Sequence, residues 1–431
     1  MASPFPPNTS LSPSSSSDLH CPLLQTMISH TLNNDTRVNL AVVSVHGVVS
    51  CLGILENGLV LWALGCRLRR KTVAAVWVLN LALSDFLTTL TLPLFTYYLL
   101  MGHSWELGGL LCSAQSSIFF INMFVSAFLL AVISLDRCLL VAKPVWTQNR
   151  RTVSAAWKIC GLGWAWAALN AFPYFMFRSV VEKQDGRKLC YHNFALYSSP
   201  SSLHHDCKVR QAATAVSKAS LAFVVPLVVI AISYTSFAVL LRARRKRLEK
   251  RRLDMTKRKE SKSSIFGSLS TASTSGRNAA QLSPGFTKMV VSVVLTFFIC
   301  WVPYHVFCLL EVVAQYRPHT VELVEVYLPL ATTFAFLNSV LNPIIYAFSC
   351  PSFCMRIRQS LGALFEGLVE ETGTIMSASG RIRRKITFSP TSPSTPTSPS
   401  ALRIQQDSKD STNLLAFKRS SLKDGEGEDK I

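Results

Sequence analysis

The sequence predicts an all-α protein: a bundle of seven membrane-spanning helices, followed by a short amphipathic helix on the membrane surface. Hydrophobic residues make up 49% of the 431 residues and charged residues only 16%, whereas soluble domains have about 25% charged residues. The apolar residues gather in seven stretches, each near the roughly 20 residues that a helix needs to cross a bilayer. Basic residues collect in alternate connecting segments, as the positive-inside rule requires.

Each apolar stretch is expected to be helical, because backbone polar groups inside a bilayer must be satisfied within the segment. Buried core helices of a large soluble protein are the alternative, but seven stretches of spanning length disfavour it. The sequence shows no internal repeat of paired, interrupted helices of the kind found in many transporters. The predicted spans are approximately 39–64, 73–100, 107–141, 153–177, 212–241, 286–313 and 321–348.

The distribution of charge orients the chain. Its formal net charge of +20 would suggest nucleic-acid binding if read alone, but the cations follow the first, third, fifth and seventh spans. The positive-inside rule assigns those segments to the cytoplasm. The segment before the first span has one basic residue, Arg37, and two glycosylation sequons, at Asn8 and Asn34. We therefore predict a multi-pass plasma-membrane protein with an extracellular amino terminus and a cytoplasmic carboxyl terminus.

These patterns divide the chain into segments. Residues 1–37 are predicted to be a flexible, glycosylated extracellular tail, and residues 38–349 the helix bundle. Within the bundle, residues 242–284 form a basic, Ser-rich third intracellular loop that begins as an extension of the fifth helix. Residues 350–369 have apolar side chains at helical spacing, which predicts a helix on the membrane surface. Residues 370–431 are a disordered cytoplasmic tail with Ser-Pro and Thr-Pro motifs that favour phosphorylation.

Four of the twelve cysteines lie in segments that face the oxidising exterior. They are Cys21, Cys112, Cys190 and Cys207. Four cysteines allow three pairings, and we favour Cys112–Cys190 together with Cys21–Cys207. The first would tie the third span to the second outer loop, and the second would hold the outer tail near the fifth helix. The other eight are expected to be reduced, with palmitoylation of Cys350 and Cys354 as an open alternative.

Polar side chains at membrane depth are costly, so each needs an explanation. Asp85 lies half-way along the second span. Amides and hydroxyls fall at comparable depth in the first, third and seventh spans: Asn57, Asn122, Ser126, Asn338, Ser339 and Asn342. A carboxylate among such oxygen ligands predicts a sodium or water cluster that acts as a switch. For the amides, a hydrogen-bonded network that only fastens the helices is the alternative.

A charged pair and two prolines mark the third, sixth and seventh spans. Asp136 and Arg137 end the third span, where an interfacial anchor is the alternative because arginine can snorkel. Pro303 follows Trp301 in the sixth span, and the sequence Asn-Pro-Ile-Ile-Tyr, ending at Tyr346, closes the seventh. A proline leaves a backbone carbonyl unpaired and bends the helix. Such bends supply the bistable elements that a conformational switch requires.

Together these motifs resemble those of the rhodopsin-class G-protein-coupled receptors across all seven spans. The matching residues are Asn57, Asp85, Cys112, Asp136 to Cys138, Trp164, Pro226, Tyr234, Cys300 to Pro303 and Asn342 to Tyr346. The resemblance implies that an agonist repacks Trp301, that the sixth helix swings outward, and that Arg137 leaves Asp136 to meet a heterotrimeric G protein, with Tyr234 contributing to coupling. It also implies arrestin binding to the phosphorylated tail. The seventh span has no lysine, which excludes a retinal Schiff base.

Two cations in the outer half of the bundle indicate the class of ligand. Lys218 lies in an apolar stretch of the fifth span, too deep to reach water easily, so it should face a polar cavity or an acidic partner. Glu311 is expected to be that partner when the pocket is empty. Arg178 ends the fourth span, where an interfacial anchor is the alternative. Aromatic walls are expected from Phe119, Phe120, Tyr304, His305 and Phe307.

A mainly apolar pocket with convergent cations suits an amphipathic carboxylic acid. A biogenic amine is disfavoured, because the third span offers Phe119 where amine recognition needs a carboxylate. Local strings sharpen the resemblance to chemoattractant-type receptors for prostaglandin D2: residues 102–108, 116–120, 134–138, 144–149, 173–175 and 215–218. The resemblance runs from about Val38 to Arg358 and fails in the third intracellular loop and the tail.

That resemblance implies a lipid carboxylate, prostaglandin D2, held by Arg178, Lys218 and Tyr304, and signalling through inhibitory G proteins. His192 and Gln115 stand where this family has tyrosine and histidine, at the expected pocket entrance. A related chemoattractant receptor for a formyl peptide or another lipid acid is the nearest alternative, and a transporter or channel is a remote one.

Enzyme activity is not expected, because the sequence has no glycine-rich phosphate loop, nucleophile elbow or zinc-binding histidine pair. The expected partners are the prostaglandin-like lipid acid, a heterotrimeric G protein, arrestin and membrane lipids, and nucleic acid is not among them. No cofactor is expected apart from the sodium ion predicted at Asp85.

Overall fold

The computed structural model describes residues 20–29, 36–68, 70–261, 284–317 and 319–349. Both predicted sequons, the surface helix over residues 350–369, the cytoplasmic tail and the second half of the third intracellular loop lie outside the described residues. What is described consists of helices and one small hairpin, as the prediction of an all-α bundle requires.

The helices are numbered in chain order. They are α1 (Pro22–Ser29), α2 (Thr36–Trp62), α3 (Val73–Thr89), α4 (Leu92–Leu100), α5 (Gly108–Ala142), α6 (Pro144–Arg150), α7 (Val153–Met176), α8 (Leu203–Ser217), α9 (Val225–Ser261), α10 (Pro284–Ala314) and α11 (His319–Ser349). A π-helical turn at Ala63–Arg67 extends α2, and a π-helical segment at Lys218–Val224 joins α8 to α9. Strands β1 (Arg178–Glu182) and β2 (Lys188–His192) pair antiparallel in the second outer loop.

Within the described residues, six helical stretches are long and apolar enough to cross a membrane. They cover Val43–Arg67, Val73–Leu100, Gly108–Ala142, Leu203–Met255, Thr287–Ala314 and His319–Phe348. The remaining predicted span, the fourth along the chain, is α7, whose 24 residues extend about 36 Å at 1.5 Å per residue. That length exceeds the roughly 30 Å of the hydrocarbon core. Lys158 and several tryptophans and glycines make α7 less apolar than the other spans.

The central helix of the bundle is α5, which packs against α3, α7, α9 and α10. Its contact with α7 is close because Gly163 has no side chain there: a Cβ atom at this position would lie 2.5 Å from the ring of Phe128. Small residues at a helix interface allow backbones to approach in this way. The core around α5 contains fully buried Phe124, Leu129 and Trp301.

The outer side of the bundle departs from the prediction of a flexible tail over residues 1–37. Pro22–Ser29 is helical, because the Cys21–Cys207 disulfide holds its start and Leu23, Leu24 and Met27 are buried. The β1–β2 hairpin was not indicated by any alternating pattern in the sequence.

The helix that carries the fifth span is longer at its outer end than predicted, and the predicted extension at its inner end is present. It begins at Leu203 rather than near residue 212. Arg210 donates hydrogen bonds to the carbonyls of Phe194 and Leu196, and these bonds fix the outer turns of the helix. At the inner end α9 continues through the basic residues to Ser261. Between residues 242 and 261 the chain has no proline or glycine to stop it.

Candidate functional site

A cavity of about 420 Å³ lies between the outer parts of α4, α5, α10 and α11 and the hairpin. Its volume is within the range of small-molecule sites, about 300–1,000 Å³. Eight of the residues predicted at the ligand site line it: Gln115, Phe119, Phe120, Arg178, His192, Lys218, Tyr304 and Glu311. These residues come from α5, β1, β2, the π-helical segment and α10, so the fold brings together positions that are far apart in the chain.

Lys218 is almost completely buried, with 3% of its surface exposed. Its Nζ donates a hydrogen bond to Cys308 Sγ at 3.3 Å and lies 5.4–5.5 Å from the ring centres of Phe120, Tyr174 and Tyr304. An aromatic face attracts a cation by about 0.5–2 kcal/mol. Within the described residues Lys218 forms no ion pair with a carboxylate, so its charge is only partly compensated.

The expected Lys218–Glu311 pair is therefore wrong for this structure. The ammonium of Lys218 is directed to the Cys308 thiol and the aromatic rings, whereas the charge of Glu311 acts on Arg178. Gln211 also holds this turn of α10, because its side-chain amide donates to the Glu311 carbonyl at 3.3 Å.

Arg178 and His192 lie on the hairpin, above the spanning helices. Burial lowers the pKa of Arg178 to about 10, while nearby Tyr304 and Glu311 oppose that shift, so the guanidinium stays charged at neutral pH. Burial also lowers the pKa of His192 well below 6.5, and the charges of Arg178 and Lys218 lower it further. The His192 ring is thus neutral at pH 7, and its Nδ1 has no hydrogen-bond partner within the described residues.

Two predicted aromatic walls, His305 and Phe307, are not among the described residues that line the cavity. Tyr304, Cys308 and Glu311 follow one face of α10 at helical spacing, and His305 and Phe307 lie to either side of it. His305 packs against Phe223, with 5.0 Å between ring centres, and Phe307 stacks on Tyr327 at 5.9 Å.

The roof of the cavity consists of α1 and the β1–β2 hairpin, which are fastened to the bundle by covalent and ionic links. The structure contains both favoured disulfides: Cys112–Cys190 ties α5 to β2, and Cys21–Cys207 ties the start of α1 to α8. Lys183 Nζ and Glu325 Oε1, 2.7 Å apart and both buried, join the hairpin to α11. No sequence motif predicted this ion pair. However, Glu325 is an ionisable residue inside a predicted span, and such residues usually have a partner.

The mid-membrane polar cluster joins three helices through Asp85 of α3. Its carboxylate accepts hydrogen bonds from the side-chain amides of Asn122 on α5, at 3.1 Å, and Asn342 on α11, at 2.8 Å. The Asn57 amide donates instead to the backbone carbonyls of Gly53 and Ser339, each at 2.9 Å. The cluster therefore holds the helices together, which is the role that the sequence suggested as the alternative to an ion-linked switch.

Several oxygen atoms in this cluster have no hydrogen-bond partner within the described residues. They are the side-chain oxygens of Asn57, Asn122, Ser126, Asn338, Ser339 and Asn342. Buried polar groups without protein partners commonly bind water or an ion, and a carboxylate with neutral oxygens suits a hard cation. The residues thus fit a sodium ion, and the ion itself stays a prediction.

Trp301 links the cavity to the interior of the bundle. It is completely buried, and its ring lies 5.2 Å from that of Phe119 and 5.9 Å from that of Phe297, measured between centres. Phe119 lines the cavity. A ligand that displaces Phe119 would therefore act on Trp301 directly.

At the inner end of α5, Asp136 lies between two arginines. It binds Arg137 at 2.5 Å and accepts two hydrogen bonds from Arg151, at 2.7 and 3.0 Å. Arg151 directly follows α6, a helix that was not predicted. Tyr234 and Tyr346 pack in or against the core, Tyr346 with 1% of its surface exposed.

Comparison with known proteins settles the family. Residues 56–346 match the model of the 7 transmembrane receptor (rhodopsin family). The chain belongs to the rhodopsin family of seven-transmembrane receptors. Prostaglandin D2 receptor 2 of Rattus norvegicus is 41% identical over 368 residues, which cover 85% of this chain and 83% of that protein. C5a anaphylatoxin chemotactic receptor 1 of Homo sapiens is 32% identical over 364 residues, covering 84% and 91%. Chemerin-like receptor 1 of Sus scrofa is 32% identical over 343 residues, covering 78% and 84%.

This rhodopsin-family receptor is thus a G-protein-coupled receptor of the chemoattractant-receptor branch and a multi-pass protein of the plasma membrane. The family consists of receptors, not enzymes. Membership implies a ligand and a heterotrimeric G protein as partners.

Proposed function

We propose that the receptor binds an amphipathic lipid carboxylate, with prostaglandin D2 as the favoured ligand, and signals through inhibitory heterotrimeric G proteins. One observation carries the proposal: the cavity contains two cations, the buried Lys218 and the half-buried Arg178, that form no ion pair with a carboxylate of the described chain. A buried charge without a counter-ion costs several kcal/mol. A ligand carboxylate would supply the missing charge.

The rest of the cavity supports a lipid rather than a sugar or nucleotide. Phe95, Phe119, Phe120 and Phe336 provide aromatic surface for a hydrocarbon chain. Neutral His192, Tyr304 and Gln115 offer hydrogen bonds to hydroxyl or keto oxygens, so a lipid acid with polar ring substituents fits the lining better than a plain fatty acid.

The inner half supports coupling to a G protein, and the inhibitory type is proposed from the resemblance of the sequence motifs to chemoattractant-type receptors. Because Asp136 holds Arg137, this conformation keeps the arginine from a partner. We propose that ligand displacement of Phe119 and Trp301 moves α10 and releases Arg137. The proposal includes an extracellular amino terminus, and arrestin binding through the phosphorylated tail.

The test is a dose–response panel in cells that express the full chain, with lowered cyclic AMP and calcium release as readouts. Prostaglandin D2, other lipid acids and formyl peptides are compared, with and without a toxin that inactivates inhibitory G proteins. Toxin-sensitive responses to prostaglandin D2 below micromolar concentration are expected. Silence to every lipid acid would overturn the proposal.

A peptide ligand is the second candidate, because two relatives carry the names of a chemerin-like and a C5a receptor. The roof disfavours it, since α1 and the hairpin cover the cavity and are fastened by Cys21–Cys207 and the Lys183–Glu325 pair. A response to formyl peptide without one to lipid acids would favour the peptide.

A further inference from the structure

We propose that Cys308 is a covalent capture site for electrophilic lipid acids, meaning carboxylic acids that carry an α,β-unsaturated carbonyl group. The proposal rests on the proposed function, because it uses the same cavity and the same carboxylate-binding cations. It adds a reaction: such a ligand would become bonded to α10 rather than bind reversibly.

Cys308 lies at the wall of the cavity and beside its deepest cation. It is 2% exposed, lines the cavity, and its Sγ lies 3.3 Å from Lys218 Nζ. Buried cysteines usually act as small apolar residues. This one differs, because its sulfur faces a ligand-sized space and accepts a hydrogen bond from an ammonium group.

A second observation points to a ligand at this place. His192 lines the same cavity with 7% exposure, and its Nδ1 has no hydrogen-bond partner within the described residues. A bound molecule with a hydroxyl group would supply that partner. The sulfur, the ammonium and the imidazole thus border one space, which gives the cysteine the surroundings of a binding site.

The reaction is addition of the thiol across the carbon–carbon double bond. Sulfur bonds to the β-carbon, the π electrons move to the carbonyl oxygen to give an enolate, and the proton of the thiol ends on the α-carbon. Nothing leaves, and no oxidant is required. Lys218 assists because a positioned cation stabilises the negative charge that develops during the addition.

The cations also select the reagent. A carboxylate attracted by Arg178 and Lys218 is held in the cavity, which raises its effective concentration at the sulfur. A neutral electrophile of the same reactivity lacks this attraction. An acidic reagent should therefore label Cys308 faster than its neutral counterpart, and other cysteines should not distinguish the two.

The experiment uses the full chain in lipid nanodiscs and two probes, maleimidohexanoic acid and neutral N-hexylmaleimide. Peptide mass spectrometry follows labelling of each cysteine with time. We expect Cys308 to react about tenfold faster with the acid, after normalisation to exposed Cys66 at the inner end of the first span, as a charge-assisted contact allows. Cys300, buried on the same helix and absent from the described cavity lining, is the matched control and should stay unlabelled.

Three variants complete the test. Cys308→Ser should remove the adduct from the α10 peptide, Lys218→Gln should abolish the preference for the acid, and Lys218→Arg should retain it. Equal rates with both probes would overturn the proposal. So would an unlabelled Cys308 in a chain that still binds prostaglandin D2 reversibly. If no lipid acid binds at all while Cys308 reacts, the failure lies with the proposed function.

Discussion

The outer cavity and the mid-membrane cluster carry opposite charges, and neither charge forms an ion pair within the described chain. Lys218 and Arg178 line the cavity without a carboxylate within ion-pair distance, and the cluster holds Asp85 without a cation. The cavity surrounds its cations with aromatic rings and one thiol, whereas the cluster surrounds its anion with amides. The difference teaches that the two sites bind different species: the outer cavity suits an anionic ligand, and the mid-membrane cluster suits a cation or a proton.

A third charged site, the Lys183–Glu325 pair of the roof, contains both charges, so it needs no bound ion or ligand to balance it. Glu325→Gln should therefore have the largest effect on stability, because it leaves a buried ammonium without its carboxylate, at a cost of about 3 kcal/mol. We expect faster amide hydrogen exchange in the hairpin around Lys183. The double replacement Lys183→Met with Glu325→Met is the control and should recover most of the protection. Unchanged exchange in Glu325→Gln would show that the pair does not hold the roof.

Lys218→Ala tests the cationic side of the comparison. A charge-assisted hydrogen bond to a carboxylate contributes about 1.5–3 kcal/mol, so the affinity for prostaglandin D2 should fall about 100-fold. Its neutral amide should lose much less. Competition binding measures both, with Lys208→Ala as a control, because Lys208 lies over Tyr316 and is not among the described residues that line the cavity. If acid and amide lose affinity equally, the cation is not the carboxylate partner.

Asp85→Asn tests the anionic side. If a sodium ion binds at Asp85 and stabilises the resting conformation, replacing sodium by choline should raise agonist affinity in the wild type, by about tenfold for a typical coupling energy. The variant should show no such shift. Asn338→Ala, which removes an amide without hydrogen-bond partners within the described residues, should reduce the shift. If the agonist affinity of the wild type is the same in sodium and in choline, the cluster only holds the helices together.

The smallest effect concerns the neutral ring near the two cations. The pKa of His192 is lower in the folded protein than the ordinary 6.5, so below about pH 6.5 the unfolded chain takes up a proton that the folded chain does not. Stability contributed by the neutral ring should therefore decrease as pH falls, by at most about 1.4 kcal/mol per pH unit. In His192→Phe the melting temperature should therefore fall less between pH 7 and pH 5.5 than it does in the wild type. A melting curve with the same pH dependence in both proteins would contradict the assignment.

Hydropathy and charge predicted the bundle because a membrane imposes local rules: each span must be apolar along its whole length and helical. The same rules make Asp85 and Lys218 visible, since ionisable residues are rare within spans. Much of the predicted cavity lining came from the resemblance to chemoattractant-type receptors, and the prediction failed for His305 and Phe307, which lie on neighbouring faces of α10.

The roof could not be predicted by such rules. The Lys183–Glu325 pair joins residues 142 positions apart, and the burial of α1 depends on the disulfide to Cys207. No local pattern encodes contacts of this range. Cys308 has the same difficulty, because its importance depends on Lys218 lying opposite it on another helix.

The π-helical segment at Lys218–Val224 makes the cavity sensitive to insertions and deletions. The amide of Val225 reaches back five residues, to Ser220, instead of the usual four. Deleting one residue here would restore regular geometry, but it would turn everything on the outer side by about 100°. Lys218 would then leave the cavity and Cys207 would move away from Cys21. Conversely, point substitutions that preserve the extra residue should leave the direction of both side chains intact. The length of this segment, as much as its composition, therefore determines which charge the ligand meets.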